Sequence, residues 1–503
     1  MIKLYDTKSR RKVEFIPREE GKVGMYVCGP TVYNRIHIGN ARTFVSFDTI
    51  RRYLIWRGYE VTFVQNVTDV DDKIIKRANE EGRSAAEVAA EYTAAFIDDM
   101  HEAGVLDPDI RPKATEEIPA MLELVQALID GGHAYEVEGD VYFSVRSYAG
   151  YGELSGRNID EMESGHRELR ADGQGLEDRK RDSLDFALWK AAKPGEPSWE
   201  SPWGLGRPGW HIECSAMSHK YLGLPFDIHG GGNDLAFPHH ENERAQSEAA
   251  YNQGFANYWM HSGMLQIANA DTGEAEKMSK SLNNFLLLHE ALDIVRPEAF
   301  RMLTLQTHYR SPLVFGDARL AEAEAALSRI ETCVGNLDWQ IQHAIEGDAV
   351  IDAEAVAAAI ERARAAFIES MDDDFNAPEA LGSVFNLVSD ANAAVADKTA
   401  TQADVAVLAQ LRATIVELVG VLGIDLDAAD DEDEYPAEVI ALAEQYAGGT
   451  FESAAAAVEA LLDARGLARK NKDWGTADGI RDGLSALGLK IEDTPQGSRI
   501  VLA

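Results

Sequence analysis

A turn near the N-terminus contains the first residues that could do chemistry. The segment from Cys28 to Asn40 reads CGPTVYNRIHIGN and leads into a predicted helix. Backbone N–H groups and the dipole at a helix N-terminus favour phosphate binding, and His37 could add a side-chain donor. Taken alone, the pattern is more typical of a turn followed by a capped helix.

A second segment, EKMSKS at residues 276–281, places two ammonium groups on one short loop. Lys277 and Lys280 are three residues apart, so together they could neutralise a polyphosphate leaving group. By itself, this loop could equally be a solvated surface turn.

Four further residues have the chemistry of a metal site. His239 and Glu243 stand at i and i+4 and share one helix face, while Cys28 ends a predicted strand and Cys214 lies in GWHIEC. If two strands of one sheet end near that helix, the sulfur, nitrogen and oxygen donors converge on a tetrahedral zinc site. The alternative is that the cysteines are small buried hydrophobic residues.

The elements that must position these residues alternate between strand and helix. Residues 23–28 and 61–67 are β-branched runs, and residues 40–57 between them have helical periodicity. A further strand at residues 225–229 ends in three glycines, and a helix begins near His239. This order predicts an α/β fold with a parallel sheet. We interpret Asp69, Asp71 and Asp72 as carboxylates at a helix N-terminus rather than as magnesium ligands.

Composition narrows the class of protein. The chain has 503 residues, with 85 acidic and 48 basic side chains and a net charge of −37, which excludes a basic nucleic-acid arm. We find neither a signal segment nor an apolar run of membrane-spanning length. Three cysteines cannot form a disulfide framework, which favours the cytoplasm. The chain-wide acidity resembles that of halophilic proteins; the alternative is an ordinary acidic protein with solvated helix faces.

The segment around His37 and the lysine loop together resemble the HIGH and KMSKS signatures of class I aminoacyl-tRNA synthetases. The second signature matches completely, whereas Asn40 replaces the last histidine of the first. Residues 26–33, 66–74, 209–214, 226–232 and 237–243 resemble cysteinyl-tRNA synthetases, as do Lys472, Asp473 and Trp474 with Asp478 and Arg481. The resemblance covers essentially the whole chain.

The resemblance implies roles for particular residues. It implies zinc ligation, one ion per chain, by Cys28, Cys214, His239 and Glu243, with the sulfur of the substrate as a further ligand. It implies a cysteine pocket of Thr68, Trp210 and His229, and ATP binding by Gly39, Gly232, Asp234 and Lys280. It implies catalysis by His37, Asn40, Lys277 and Lys280. Simpler alternatives are a structural zinc, core positions for Thr68 and Trp210, and a helix N-cap for Asp234.

The implied reaction joins L-cysteine to tRNA(Cys) through a cysteinyl-adenylate, with Mg²⁺ accompanying ATP. We expect a monomer with no membrane association. The rival activity is that of a ligase that attaches cysteine to an amino-sugar, as in mycothiol synthesis; such a ligase lacks the extended C-terminal end.

The resemblance also implies a domain order. We expect a Rossmann-type catalytic domain in two halves, followed by helical domains and an anticodon-binding domain. The predicted ranges are 1–112 and 203–262 for the two halves, 113–202 for an insertion, 263–317 for a domain with the KMSKS loop, 318–424 for a helical bundle and 436–503 for the anticodon-binding domain.

The C-terminal range contains a local concentration of cations around Trp474. Trp474, Asp478 and Arg481 fall at i, i+4 and i+7, so in a helix they share one face with a stacking surface, an acceptor and a bidentate donor. Such groups hold unpaired bases, and we expect Arg469 to contribute to the same tRNA surface. The alternative is a buried Trp474 with solvated charges around it.

Overall fold

The computed structural model describes residues 1–159, 179–268, 275–277, 286–426, 435–494 and 497–502. Two compact units divide the chain. The first contains residues 1–325, 366–381 and 421–423, and the second contains residues 326–365, 382–420 and 424–503. Among the described residues, no helix has both the length and the apolar character that a membrane crossing requires.

The elements of the first unit alternate as the sequence predicts. The unit begins with β1 (Lys3–Asp6), β2 (Arg11–Glu14), β3 (Lys22–Val27), α1 (Ile38–Trp56) and β4 (Glu60–Gln65). Next come α2 (Asp72–Glu81), α3 (Ala85–Glu102), α4 (Ile118–Asp130), β5 (Ala134–Val137), β6 (Asp140–Phe143), β7 (Phe186–Ala191) and β8 (Gly206–Pro208). Then follow α5 (Trp210–Leu222), β9 (Phe226–Gly232), α6 (His239–Tyr251), β10 (Ala256–Ser262), β11 (Leu265–Ala268), β12 (Ala275–Lys277), α7 (Leu288–Leu292), α8 (Pro297–Leu305) and β13 (Leu313–Phe315).

A four-stranded parallel sheet, in the order β10-β9-β3-β4, forms the centre of this unit. Its register pairs Tyr26 with His229 and His229 with Trp259, and all three side chains are buried. The predicted parallel α/β fold is therefore confirmed. The carboxyl ends of parallel strands share one edge of a sheet, which is where ligands bind in such folds.

Capping residues explain where the helix α2 begins and ends. The carboxylate of Asp71 accepts from the backbone N–H of Lys73 and caps α2, which ends at Gly82 with a left-handed φ of 66°. The interpretation of Asp71 and Asp72 as helix N-terminal carboxylates is confirmed. The same expectation was wrong for Asp69. This residue lies between the end of β4 and the start of α2, and its carboxylate accepts from Thr115 instead of capping the helix.

The structure differs from the sequence interpretation at two elements, and the condition that two strands end beside the metal-site helix is met differently. Cys214 does not follow a strand, because residues 210–222 form the helix α5, which packs against α6. Strand β9 does not stop at His229 but continues through Gly232, because parallel pairing with β10 extends to the pair of Gly232 and Ser262. Within the range predicted as an insertion, residues 113–202, the strands β5, β6 and β7 form an antiparallel sheet, and β8 adds its fourth strand.

Helices dominate the rest of the chain. They are α9 (Asp317–Gln342), α10 (Ala353–Asp372), α11 (Ala377–Val395), α12 (Val405–Val421), α13 (Glu438–Tyr446), α14 (Ala454–Lys470) and α15 (Trp474–Ala486). The last described elements are β14 (Leu489–Thr494) and β15 (Gly497–Leu502), which pair as an antiparallel hairpin. Val439, Leu461, Ile480 and Leu484 form part of a separate C-terminal core.

Candidate metal centre and active site

The loops that follow β3 and β4 are joined by hydrogen bonds immediately after Cys28. The backbone N–H of Gly29 donates to Asn66 Oδ1 at 2.9 Å, and the N–H of Thr68 donates to the carbonyl of Pro30 at 3.1 Å. A Cβ at position 29 would lie 1.7 Å from the carbonyl oxygen of Asn66. Only glycine fits there, and this close approach sets the position of Cys28.

Four buried donors converge beside these loops. The ligand atoms of Cys28, Cys214, His239 and Glu243 all lie within 4.8 Å of one another. The two Sγ atoms are 3.8 Å apart, and Cys214 Sγ lies 3.6 Å from His239 Nε2. Tetrahedral zinc bonds of about 2.3 Å to sulfur and about 2.0 Å to nitrogen place such pairs roughly 3.8 and 3.5 Å apart. The donor set therefore fits a tetrahedral zinc ion.

The charges of the cluster also fit a cation. Burial opposes ionisation, yet contacts with His239 and His229 hold the pKa of the Glu243 carboxyl well below its usual range. Burial likewise opposes ionisation of Cys214, but hydrogen bonds with Cys28 and His239 lower its pKa to about 6. Against the effect of burial, Glu243 and Cys214 raise the pKa of His239 to about 10. The buried carboxylate and thiolate thus attract positive charge, and zinc suits this mixture of soft and borderline donors.

A second group of donors overlaps the first. His240 Nε2 lies 3.3 Å from Cys28 Sγ, and Cys28, His229, His240 and Glu243 also lie close enough to hold a metal. This second group leaves out the thiol of Cys214. The first group uses both thiols and matches tetrahedral spacing, so it is the better zinc site.

Neighbouring side chains orient the ligands. His211 Nδ1 lies 2.8 Å from His239 Nδ1, and burial lowers the pKa of His211 well below its ordinary value, so His211 is neutral and can accept. This contact turns Nε2 of His239 toward the cluster, a common arrangement around metal-binding histidines. Trp210 stacks on His239, with ring centroids 4.2 Å apart.

Sequence reasoning missed His211 and His240. Both lie within the segments that resemble the family, directly beside Trp210 and His239. Their proximity to the predicted ligands was the available signal. It was insufficient, because only tertiary packing decides which neighbouring imidazole faces the cluster.

The three predicted cysteine-pocket residues differ in burial and in their contacts. Trp210 is half-buried, whereas Thr68 and His229 are buried. Thr68 Oγ1 donates to Glu213 Oε2 at 2.7 Å, and His229 Nε2 lies 2.8 Å from Glu243 Oε2. The polar atoms of Thr68 and His229 thus contact carboxylates.

The two residues predicted to act at the phosphates form the cap of α1. His37 Nδ1 accepts from the backbone N–H of Asn40 at 3.2 Å, and Asn40 Oδ1 accepts from the N–H of His37 at 3.4 Å. Gly39 lies in the first turn of the same helix. Because Nδ1 of His37 accepts, a neutral ring carries its proton on Nε2. The predicted turn and capped helix are therefore both present.

The first described residues after the KMSKS segment lie against this cap. The N–H of Ile38 donates to the carbonyl of Leu286 at 3.2 Å, and the N–H of Leu288 donates to the carbonyl of Ile36 at 2.9 Å. Lys280 lies outside the described residues. For Lys277 only the backbone is described, which pairs with Gln266.

Gly232 is the last residue of β9, and Asp234 follows the strand at the carboxyl edge of the sheet. A Cβ on Gly232 would lie 2.5 Å from Asp234 Oδ1, so any other residue at position 232 would displace the carboxylate from its present position. Gly232, rather than Asp234, is the N-cap of the short 3₁₀ turn Asn233–Ala236. The alternative of Asp234 as the N-cap was wrong, because Asp234 lies inside the turn.

The predicted tRNA-binding residues lie on two C-terminal helices. Trp474 begins α15 and is 58% exposed, which contradicts a buried position. Asp478 and Arg481 form an ion pair at 2.8 Å on the same helix. Arg469 lies in the last turn of α14. Arg465 on α14 is a further cation of this region, but it is buried and donates to Ser498.

Comparison with known families assigns three parts of the chain. Residues 14–325 match the catalytic domain model of class I tRNA synthetases (C), and residues 366–427 match the DALR domain model. Residues 453–499 match the model of the cysteinyl-tRNA ligase anticodon-binding domain.

Curated relatives match along the full length. The chain is 47% identical to the cysteine–tRNA ligase of Trichlorobacter lovleyi, with 99% of each chain covered. It is 48% identical to that of Desulfitobacterium hafniense, covering 100% of this chain and 99% of the relative. The chain belongs to the cysteine–tRNA ligase family. Family membership accounts for the anticodon-domain match as well as for the catalytic-domain match.

Solved structures support the same fold. Methionyl-tRNA synthetase of Mycobacterium tuberculosis superposes with a TM-score of 0.58 at 14% identity, covering 81% of this chain and 92% of that chain. At this identity the likeness concerns the fold alone. It agrees with the Rossmann-type catalytic domain expected for a cysteine–tRNA ligase.

Proposed function

We propose that this protein activates L-cysteine with ATP and transfers the cysteinyl group to the 3′ end of tRNA(Cys). The observation that carries the proposal is the convergence of Cys28, Cys214, His239 and Glu243 at the carboxyl edge of the parallel sheet. A metal site with two thiols and a neighbouring indole suits a thiol substrate. Family membership supplies the reaction class.

The four donors would hold one zinc ion. When bound, zinc supplies a soft Lewis acid that favours a thiolate over a hydroxyl. A purely hydrophobic pocket separates such similar side chains by only about 1–3 kcal/mol. Neighbouring residues would hold His239 in position to bind the ion: His211 orients the imidazole of His239, and Trp210 stacks on that imidazole.

Adenylate formation requires positioning and charge stabilisation but no protein nucleophile. The carboxylate of cysteine attacks the α-phosphorus of ATP, and pyrophosphate leaves. The N-terminus of α1 and the Nε2–H of His37 suit the phosphates. Lys280, helped by Lys277, would neutralise the departing pyrophosphate, and Gly232 with Asp234 would hold the ribose.

A second step would transfer the acyl group to the terminal ribose of tRNA. We propose that Arg469, Trp474, Asp478 and Arg481 contact the tRNA, that Mg²⁺ accompanies ATP, and that the protein works as a monomer in the cytoplasm. The exposed indole of Trp474 supports the tRNA surface.

Aminoacylation of purified tRNA with cysteine and serine tests the proposal directly. We expect charging with cysteine and none above background with serine. Metal analysis of the same preparation should find about one zinc per chain. The amino-sugar ligase is the rival, and the match of residues 453–499 to an anticodon-binding domain disfavours it. Cysteine transfer to an amino-sugar without tRNA charging would contradict the proposal.

A further inference from the structure

A cavity of about 530 Å³ opens beside the turn that follows β9. Asp234 forms part of one wall, Tyr5 and Arg10 come from the N-terminal hairpin, and Arg157 comes from the segment after β6. Because Asp234 is the proposed ribose ligand, the cavity adjoins the site where the adenylate would form.

The charge of the cavity is opposite to that of the chain. Acidic residues outnumber basic ones by 85 to 48 overall, yet Arg10, Arg157 and Arg310 line this cavity with Asp234 as the only carboxylate in its described lining. Arg310 pairs with Asp374, with Nε 2.7 Å from Oδ2. Arg10 and Arg157 are exposed, and neither has a carboxylate partner within the described ranges. Two cations without counter-charges at one cavity favour an anionic ligand.

The guanidinium groups are held in place. Arg10 Nη2 packs against the backbone of Gly156, in the space that the Cβ of any other residue at position 156 would fill. Gly156 also has a left-handed φ of 69°. The guanidinium of Arg157 lies over the ring of Phe237 at 4.1 Å, and that of Arg310 lies over the ring of Tyr5 at 4.3 Å. Arginines that alternate with aromatic rings suit the phosphates and unpaired bases of a single strand.

We propose that this cavity binds the single-stranded 3′ end of tRNA, with backbone phosphates against Arg10 and Arg157. This inference rests on the proposed function. The terminal ribose must reach the adenylate, and Asp234 connects the cavity wall to that site. The phosphates of ATP have other proposed partners at α1 and the lysine loop, so these arginines remain for the second polyanionic substrate.

Neutral variants of the two arginines test the proposal. Arg10→Gln and Arg157→Gln should each lower kcat/KM for tRNA by about tenfold, since each removes a charge-assisted contact. Each should also reduce the slope of log kcat/KM against log salt concentration by about 0.7, the value for one single-strand phosphate. Arg11→Gln is the matched control, because Arg11 is exposed, adjacent and absent from the cavity wall. It should change neither quantity.

Binding of shortened tRNA locates the contact. The wild-type protein should bind intact tRNA more tightly than tRNA that lacks its last three nucleotides, and the two variants should lose affinity only for the intact form. Equal losses for both forms would overturn the proposal. An equal fall in cysteine-dependent ATP–pyrophosphate exchange and in charging would overturn it too, because it would assign the arginines to ATP.

The outcome is separable from that of the proposed function. Wild-type protein that catalyses exchange but charges no tRNA would contradict the proposed function. The comparison of intact with shortened tRNA would still decide what the cavity binds.

Discussion

Asn40 uses the two ends of its side-chain amide differently. Its oxygen accepts from the N–H of His37 and completes the cap of α1, and its amino group is a donor. A histidine at this position could carry positive charge, whereas asparagine stays neutral. We expect transition-state stabilisation here to depend on hydrogen bonding and on the lysine loop.

The proposed metal ligands should control cysteine binding more than ATP binding. We expect Cys214→Ser or His239→Ala to lose bound zinc and to weaken cysteine affinity strongly, because each removes one of four convergent donors. Metal analysis and separate titrations with cysteine and ATP measure the effect. His219→Ala on the same helix as Cys214 is a control, since His219 packs against Tyr251 and not against the cluster. Variants that bind cysteine normally would contradict the role of zinc in selection.

Lys280 should act in the transition state rather than in cysteine binding. Removing a donor to the departing pyrophosphate costs roughly 3–4 kcal/mol, or a rate loss of about 10²- to 10³-fold. We therefore expect Lys280→Ala to slow ATP–pyrophosphate exchange and to leave cysteine affinity nearly unchanged. An unchanged exchange rate would place the loop outside the active site.

At the scale of elements, a buried arginine joins several parts of the first unit. Arg301 on α8 pairs with Asp48 on α1, and its guanidinium also donates to the carbonyls of Ala103 and Leu422. Asp48 has a further partner in Arg52 at 2.8 Å. The position of α1, whose cap carries His37, therefore depends on this buried pair.

Breaking that pair should destabilise the fold. We expect Arg301→Leu to lower the free energy of unfolding by about 3–5 kcal/mol, because it removes the fully buried cation that pairs with Asp48 and donates to two carbonyls. Denaturant unfolding measures the change, and Arg319→Leu, at an exposed pair with Glu322, should have little effect. The double variant with Arg301→Leu and Asp48→Leu should lose less free energy of unfolding than the two single variants lose together. A double variant that is less stable than the sum of the singles would contradict this account.

The exposed face of α15 should matter for tRNA and not for cysteine activation. We expect Trp474→Ala and Asp478→Ala to reduce tRNA charging and to leave ATP–pyrophosphate exchange intact, since stacking on an exposed indole contributes about 1–3 kcal/mol per base. Deletion from Pro436 onward should reduce charging severely. Trp339→Ala, which removes a half-buried indole from α9, is the control. Charging that survives the deletion would contradict the anticodon assignment.

Sequence periodicity predicted the elements that local signals define. Strands β3, β4 and β9 and helices α1 and α6 follow from β-branched runs, helical spacing and glycine turns. The sequence did not predict that Cys214 lies in a helix, because the six residues GWHIEC are too few to show helical periodicity. The position of α5 depends on its packing against α6. Strand β6 ends at Phe143 and β7 begins at Phe186, so their pairing depends on tertiary contacts. The same holds for His211, whose role depends on ring orientation.

At the scale of the whole molecule, the net charge of −37 should make stability depend on salt. The screening length falls from about 10 Å at 0.1 M to about 3 Å at 1 M, which reduces repulsion among carboxylates. We expect the free energy of unfolding and the activity to rise between about 0.1 M and molar KCl. Sucrose, which does not screen charge, serves as the comparison. A stability optimum below roughly 0.2 M would show that the acidity has another cause.

The separation of the proposed metal ligands along the chain affects when the site can form during synthesis. Cys28 and Cys214 are 186 residues apart, so at about 5–20 residues per second the ribosome needs roughly 10–40 seconds between them. During that interval none of the other three proposed ligands has been synthesised, and Glu243 is added later than Cys214 and His239. The proposed metal centre would therefore form late in translation, and chains that terminate before residue 243 lack one of its four donors.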